Sequence, residues 1–208
     1  MFIAVETGDL VHSTDMSQAK YTQAIMLLKA ELNKQSETLQ TSFEIFRGDA
    51  FQVLYKHPTD AMRASLMTKL WLLFAIDGSP IEITQAIAFG HQDISSQRIS
   101  ENMGNVFIAS GRLLDQVKRR HIAISHWQNQ NAIDLIQSYL NHHLTGLTQK
   151  QAEVLYYYLQ ENFPEQQLIA DILDITRQNV AAHLKRGGAD LLKQTIEFFA
   201  NASEDATK

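Results

Sequence analysis

The chain contains no cysteine among its 208 residues, which excludes disulfides, thiolate metal sites and thiol nucleophiles. It also lacks any run of about 18 apolar residues, the length that a membrane-spanning helix requires. Its first residues, MFIAVETGDL, contain no basic segment followed by an apolar core, so no signal peptide is expected. These absences favour a cytoplasmic protein.

Positive charge is in the minority, because 18 lysine and arginine residues accompany 23 aspartate and glutamate residues and give a net charge of −5. Any affinity for nucleic acid must therefore come from a local basic patch. Proline is scarce as well, and its three residues (Pro58, Pro80 and Pro164) all lie at predicted helix boundaries. The hydrophobic share of 45% is ordinary for a protein that buries a core.

Two short β-prone runs, FEIF and AFQVL, flank the tripeptide Arg47-Gly48-Asp49. Because glycine tolerates the positive φ of a tight turn, this pattern predicts a β-hairpin with Asp49 at its tip. Such Gly-Asp turns also occur without any function, and turn chemistry alone accounts for this one. A neighbouring carboxylate would allow the pair to hold Mg²⁺ against phosphate oxygens. The apolar run at residues 2–11 predicts a buried strand that delivers Asp9 as that second carboxylate.

The remaining patterns predict the order β-α-β-β-α-β-α-β. Helices are expected over residues 17–33, 58–76 and 104–119, and two further strands over residues 81–90 and 121–125. This order predicts a mixed sheet with helices packed on one face. The strands that carry Asp9 and Asp49 can be neighbours in such a sheet, which gives the two-carboxylate hypothesis a geometric basis.

Three motifs resemble those of class III nucleotide cyclases. GDLVHS resembles their first metal-binding strand, FRGDAF resembles the hairpin with their second metal aspartate, and GNVFIASGRLL resembles the helix that contacts ribose and phosphate. The hairpin is also similar to that of the GGDEF domains, and GDLVHS combined with FRGDAFQVL most closely resembles the SatD-like group of small bacterial proteins. The resemblance covers about residues 1–126 and implies an α+β domain with a ferredoxin-like, cyclase-like mixed sheet.

The resemblance also implies a set of site residues. Asp9 and Asp49 match the carboxylates that bind Mg²⁺ or Mn²⁺, and Arg112 and Gly48 match nucleotide-binding positions, with Arg112 at the triphosphate. Ile108 occupies the position of the ribose-orienting asparagine and cannot form that hydrogen bond. Loss of the asparagine should remove orientation and charge stabilisation from cyclisation. The metal and phosphate half of a nucleotide site is therefore retained, while the half that is specific to cyclases is altered.

The carboxyl-terminal part shows three helical segments in close succession. Thr148 and Gln151 form a capping box that begins the first helix, and Pro164 suits the first turn of the second. Asp174 lies in a tight turn and tolerates the left-handed conformation. Thr176 can then cap the third helix.

LTQKQAEVLYYYL and IADILDITRQNVAAHLKR resemble the region-4-type helix-turn-helix of sigma factors over about 45 residues. The resemblance implies double-stranded DNA as a partner, read by the first turn of the third helix, with later residues at phosphates. The DNA-binding residues expected are Thr176, Arg177, Gln178, Asn179, His183, Lys185 and Arg186. The alternative is a three-helix module that mediates dimerisation or binds another protein.

These patterns divide the chain into a cyclase-like domain at 1–126, a helical connector at 127–146, a helix-turn-helix domain at 147–200 and a disordered tail at 201–208. They favour a DNA-binding transcriptional regulator whose first domain, a degenerate cyclase-like domain, binds a nucleotide or mediates dimerisation. An active metal-dependent nucleotidyl cyclase or nucleotidyl-transfer enzyme is the alternative, and a purely structural dimerisation domain is a third hypothesis. A homodimer is expected, because cyclase-like domains complete their site across two subunits and paired recognition helices read two half-sites.

Overall fold

The computed structural model describes residues 1–46, 48–96, 98–102, 104–125 and 130–207. Five strands and three helices form its first part in the predicted order, and five further helices follow. The elements are β1 (Phe2–Leu10), α1 (Gln18–Leu39), β2 (Ser42–Phe46), β3 (Ala50–Tyr55), α2 (Ala61–Phe74), β4 (Ile83–His91), α3 (Asn105–Gln116), β5 (Ile122–Ser125), α4 (Gln130–Thr145), α5 (Gln149–Gln160), α6 (Gln166–Leu173), α7 (Arg177–Arg186) and α8 (Ala189–Thr207).

The five strands form one mixed sheet in the order β2-β3-β1-β4-β5. The central strand β1 is antiparallel to both β3 and β4, and β5 is parallel to β4. The first four strands together with α1 and α2 have the ferredoxin-like β-α-β-β-α-β connection. The predicted α+β fold class, with its sheet domain and its all-helical carboxyl-terminal region, is thereby confirmed.

Helices cover both faces of the sheet, so the expectation that they pack on one face is wrong. Phe2 and Ala4 of β1 belong to a core that includes the apolar side chains of α1 and α2. The alternate residues, Ile3 and Val5, pack against α3 through Val106 and its neighbours. Because β1 is buried along both of its alternating sets of side chains, it requires a layer on each side.

The carboxyl-terminal helices share the core of the first face. Tyr156 of α5 packs against Trp71 of α2, with ring centroids 5.5 Å apart. Phe199 of α8 stacks on Phe89 of β4 at 5.9 Å. One continuous cluster of buried apolar residues therefore extends from the sheet into α4–α8. The domain boundaries remain a prediction, and the one between residues 126 and 127 lies outside the described residues.

The sequence predicts a disordered tail from residue 201, but the structure has a helix there. Helix α8 continues to Thr207, with Ser203 buried and Ala206 packed against the core. Packing on the rest of the protein stabilises a polar segment whose composition alone does not predict a helix. Among the residues that the structure describes, no helix has both the length and the apolar character needed to cross a membrane.

Candidate functional site

The two predicted metal carboxylates lie on adjacent strands. Asp9 is the penultimate residue of β1 and pairs across the sheet with Ala50, the residue after Asp49. The Leu10 backbone N–H donates to the Asp49 carbonyl oxygen at 3.2 Å. Both aspartates are half-buried. The structure thus brings together the two carboxylates that the sequence places at a strand end and at a hairpin tip.

The negative charge of Asp49 affects the pKa of Asp9. Burial raises the pKa of the Asp9 carboxyl above its usual value, and the negative charge of Asp49 raises it further. A hydrogen bond from the Leu10 backbone and the charge of Arg119 act in the opposite direction on that pKa. The Ser13 hydroxyl, from the GDLVHS motif, donates to Asp49 Oδ2 at 2.5 Å and orients that carboxylate. The two carboxylates therefore repel each other in a setting that a cation would relieve.

The donor set fits a divalent ion that is shared with phosphate. Mg²⁺ is commonly held by one or two carboxylates together with substrate phosphates and water. Across the described part of the chain, no group of three or more histidine, cysteine, aspartate or glutamate side chains is placed to hold a metal. Asp9 and Asp49 could accordingly hold Mg²⁺ or Mn²⁺ only with ligand or water oxygens in the remaining positions.

The face of the sheet that carries Asp9 is covered by α3. Thr7, two residues before Asp9 and on the same face, lies 2.8 Å from Ser110 of α3, hydroxyl to hydroxyl. Arg112 and Ile108 are both exposed on this helix, and 44% of Ile108 is accessible. The helix therefore presents the predicted phosphate-binding arginine to solvent on the side of the sheet where Asp9 lies.

Arg119, which the sequence interpretation did not single out, is the cation whose charge lowers the pKa of Asp9. It follows the end of α3 in the basic run Lys118-Arg119-Arg120. This run of three cations, in a chain with a net charge of −5, was the sequence feature that could have indicated a cation near Asp9. The sequence does not show which of the three cations lies closest to Asp9, because that depends on the path of the chain between α3 and β5.

Gly48 has a structural reason to be glycine. Its φ is +93°, in the left-handed region, as expected of the tight turn. A Cβ atom at this position would lie 2.6 Å from the Tyr21 hydroxyl oxygen. Arg47, the first residue of the predicted turn, lies outside the described residues. The backbone and Tyr21 therefore account for the glycine, and its predicted role in nucleotide binding remains untested.

The predicted recognition helix is α7, and its caps are formed as expected. Asp174 ends α6 with a left-handed φ of 50°, and the Thr176 hydroxyl accepts a hydrogen bond from the Asn179 backbone N–H at 3.2 Å. The side chains of Arg177, Gln178 and Asn179 are exposed in the first turn, and those of Lys185 and Arg186 in the last. Thr176 is already engaged as a cap, so its hydroxyl is less available to DNA than the sequence suggests.

His183 differs from the exposed residues of α7, because its side chain is half-buried. Its Nδ1 is buried without a hydrogen-bond partner among the described residues. Burial, Arg186 and Lys150 lower the pKa of His183, and Glu153 acts against them. The neutral ring is therefore favoured at neutral pH, which makes His183 a poor contact for a phosphate.

A groove of about 890 Å³ lies between α7 and the ends of α5, α6 and α8. Arg177 and Lys185 line it together with the acidic residues Glu165 and Asp190. Gln178, Asn179 and Arg186 are not among the residues that line the groove. Arg177 and Lys185 therefore share the groove with two carboxylates, whereas Arg186 does not line it.

Comparison with known proteins gave matches among solved structures alone, since no family model and no curated protein matches the chain. The guanylyl cyclase Cya2 matches with a TM-score of 0.47 and 17% identity over 60% of this chain and 75% of its own. A dimeric guanylyl cyclase domain of the RhoGC fusion protein from Blastocladiella emersonii gives 0.47 and 16%, over 60% and 79%. The adenylyl cyclase CyaB from P. aeruginosa gives 0.44 and 16%, over 66% and 81%. These solved structures are guanylyl and adenylyl cyclases, and their sequence identity to this chain is low.

Proposed function

We propose that this chain is a DNA-binding transcriptional regulator whose sheet domain takes up a metal-bound nucleotide. The observation that carries the DNA-binding role is the exposed surface of α7, with polar side chains in its first turn and two cations in its last. A helix that follows a tight turn in a three-helix unit can enter the major groove with its amino-terminal residues at the base edges. Amide side chains there match the hydrogen-bonding groups of the bases.

The charge distribution selects one side of α7 for this role. Because the chain carries a net charge of −5, contact with phosphates must be local. Glu165 and Asp190 line the groove beside Arg177 and Lys185 and would repel a phosphate backbone placed there. Asn179 and Arg186 are seven residues apart, about two turns of the helix, and so share a face. We place the base contacts at Gln178 and Asn179, with Arg186 at a phosphate.

Fluorescence anisotropy with an operator selected from random sequences tests this role. Gln178→Ala should reduce discrimination between the operator and a mismatched site by about 1–3 kcal/mol. Arg186→Ala should weaken binding to both sequences and lower the salt slope by about 1. Lys193→Ala on α8 is the matched control and should bind as the unaltered chain does. Equal binding by the unaltered chain and a Gln178/Arg186 double variant would refute the proposal.

The nucleotide half of the proposal is supported by the adjacency of Asp9 and Asp49. When bound, a divalent ion would neutralise the two carboxylates and the phosphate oxygens that share it. The protein's own residues hold the carboxylates: Ser13 orients Asp49, and the Leu10 backbone hydrogen-bonds to Asp9. Ile108 offers no hydrogen bond to a ribose, so binding without efficient cyclisation is the expected behaviour.

Thermal denaturation during a Mn²⁺ titration, with and without ATP or GTP, tests this half. The ion should raise the melting temperature, because a ligand at 100 times its Kd stabilises the folded state by about 2.7 kcal/mol. Asp9→Asn and Asp49→Asn should abolish the rise, whereas Asp93→Asn, at the far end of β4, should retain it. The rise should also diminish as the pH falls through the raised pKa of Asp9, because protonation removes a ligand.

Two other results would redirect the nucleotide proposal. If Mn²⁺ produces no shift in the unaltered chain, the carboxylates are turn residues without a bound ion. If the chain forms a cyclic nucleotide rapidly, the enzyme alternative holds, and Ile108 does not prevent catalysis.

A homodimer is part of the same proposal. Ile108 and Arg112 lie exposed on α3, which covers the face of the sheet that carries Asp9, so a second copy of the chain could cover Ile108 and supply its own Arg112 to the phosphates. Light scattering at micromolar concentration should give twice the chain mass of 23.6 kDa. A monomer at every concentration, with and without DNA or nucleotide, would contradict it.

A further inference from the structure

Lys69 is a buried lysine whose position the proposed function does not explain. It lies in the middle of α2 with 5% of its surface exposed, and its Nζ donates to the Ile83 carbonyl oxygen at 2.7 Å. Burial lowers its pKa to about 8, although Glu82 and Glu6 act in the opposite direction. A lysine is seldom buried to this degree without a partner for its charge.

A cavity of about 120 Å³ adjoins this lysine. Its walls come from α2, from the start of β4 and from the junction of α4 and α5, with Thr145 and Gln149 as polar lining residues. The volume equals that of about four water molecules. A nucleotide is too large for it, whereas a carboxylate or phosphate group is not.

The charged residues that line the cavity are two cations, Lys69 and Arg120, and one carboxylate, Glu82. Arg120 Nε donates to Glu82 Oε2 at 2.8 Å, so the nearest carboxylate already has a cationic partner. Burial raises the pKa of Glu6 above its usual value, and the charge of Lys69 acts in the opposite direction. His121 is favoured as neutral, because burial, Lys118 and Lys69 lower its pKa. Among the described residues Lys69 forms no ion pair with a carboxylate, although the charges of Glu82 and Glu6 raise its pKa.

The ammonium group of Lys69 also retains hydrogen-bonding capacity. It has three N–H donors, and the Ile83 carbonyl accepts one of them. An oxyanion in the cavity would accept another and would balance the charge, in a setting where screening by water is weak.

We propose that this cavity is a binding site for a small oxyanion, a carboxylate or a phosphate, which Lys69 holds from the inner wall and Arg120 from the rim. The site lies on the α2 face of the sheet, whereas Asp9 faces α3, so it is separate from the proposed nucleotide site. Because its walls come from both the sheet and the α4–α5 junction, the bound anion would tie these two parts together.

Thermal denaturation in phosphate and in acetate, each compared with chloride at equal ionic strength and with a chelator present, tests the site. Both anions, or one of them, should raise the melting temperature of the unaltered chain, and the difference between the two identifies the preferred class. Lys69→Met keeps the length of the side chain and removes the charge, so it should raise the anion's Kd by about tenfold or more. Lys29→Met, at an exposed position of α1, should leave the Kd unchanged.

Further readouts separate binding from folding. Arg120 is half-exposed, so Arg120→Gln should fold normally and still weaken the anion-dependent shift. In the unaltered chain the shift should diminish as the pH rises through about 8, because Lys69 then loses its charge. Asp9→Asn should leave the shift intact. An equal shift in Lys69→Met and the unaltered chain, or no shift with either anion, would overturn the proposal.

Discussion

Glu6 is a fully buried carboxyl group in the central strand, a position where ionisable side chains are rare. Its oxygens accept hydrogen bonds from the Tyr55 hydroxyl at 2.6 Å and from Gln85 Nε2 at 2.7 Å. Desolvation raises its pKa, and these hydrogen bonds together with Lys69 offset only part of that rise. The folded protein therefore holds a proton on Glu6 more tightly than the unfolded chain does.

This proton affinity predicts how stability changes with pH. Between the usual glutamate pKa and the raised value, the folded state binds more protons than the unfolded state, so stability should fall as the pH rises. Glu6→Gln cannot ionise and should show a flatter dependence, measured by urea denaturation across that window. Glu37→Gln, at an exposed position of α1, should retain the slope of the unaltered chain. Equal slopes for Glu6→Gln and the unaltered chain would contradict the assignment.

Single residues show which parts of the site the sequence could predict. Asp9 and Asp49 were predictable, because each belongs to a short local pattern, a strand end and a glycine turn. Glu6 was not, since its partners Tyr55 and Gln85 are 49 and 79 residues away. Arg119 was missed for the same reason, because its effect on Asp9 depends on the path of the chain after α3. Local patterns predict position, whereas tertiary contacts determine burial and charge.

At the level of the elements, α7 depends strongly on its cap. It has ten residues, which is too short for an isolated helix to be stable, and Thr176 is its N-cap. Thr176→Ala should destabilise the protein by about 1 kcal/mol, measured by urea denaturation, and should speed hydrogen exchange in the first turn of α7. Thr22→Ala, exposed within α1, should change the stability little. A similar effect of both substitutions would argue against a capping role.

The helices differ in how far the sequence predicted them. Helix α5 (Gln149–Gln160) begins at the predicted capping box, which is formed in the structure, because this signal is local. Helix α1, predicted to end near residue 33, continues to Leu39. Its last turns are polar in sequence, but Gln35 is buried there and donates to the Ala64 carbonyl oxygen. A long-range contact with α2 therefore extends this helix beyond its apolar pattern.

At the scale of the whole molecule, Tyr156 connects the carboxyl-terminal helices to α1. Its hydroxyl donates to Glu31 Oε2 at 2.7 Å and accepts from Lys34 Nζ at 3.1 Å. Tyr156→Phe leaves the buried Glu31 carboxylate with one hydrogen-bond donor fewer. The free energy of unfolding, measured by urea denaturation, should fall by about 1–3 kcal/mol. Tyr139 is exposed on α4, so the control substitution Tyr139→Phe should change the free energy of unfolding little.

Urea denaturation of the unaltered chain also tests whether the sheet and the carboxyl-terminal helices unfold together. Because Trp71 lies against Tyr156, tryptophan fluorescence, to which Trp127 also contributes, should change when this contact is lost. A shared core predicts a single cooperative transition for the sheet and the helices, seen equally by fluorescence and circular dichroism. Two separate transitions would show instead that α5–α8 fold independently.

The stacking of Phe199 on Phe89 has a consequence for how the protein is made. The sheet is complete once Ser125 has been synthesised, yet Phe89 lacks its stacking partner until α8 has left the ribosome. During that interval the nascent chain presents an apolar surface, which is a common cause of aggregation in larger chains. Slow translation of the segment between β5 and α8 should therefore lower the yield of folded protein, and chaperones that bind nascent chains should restore it.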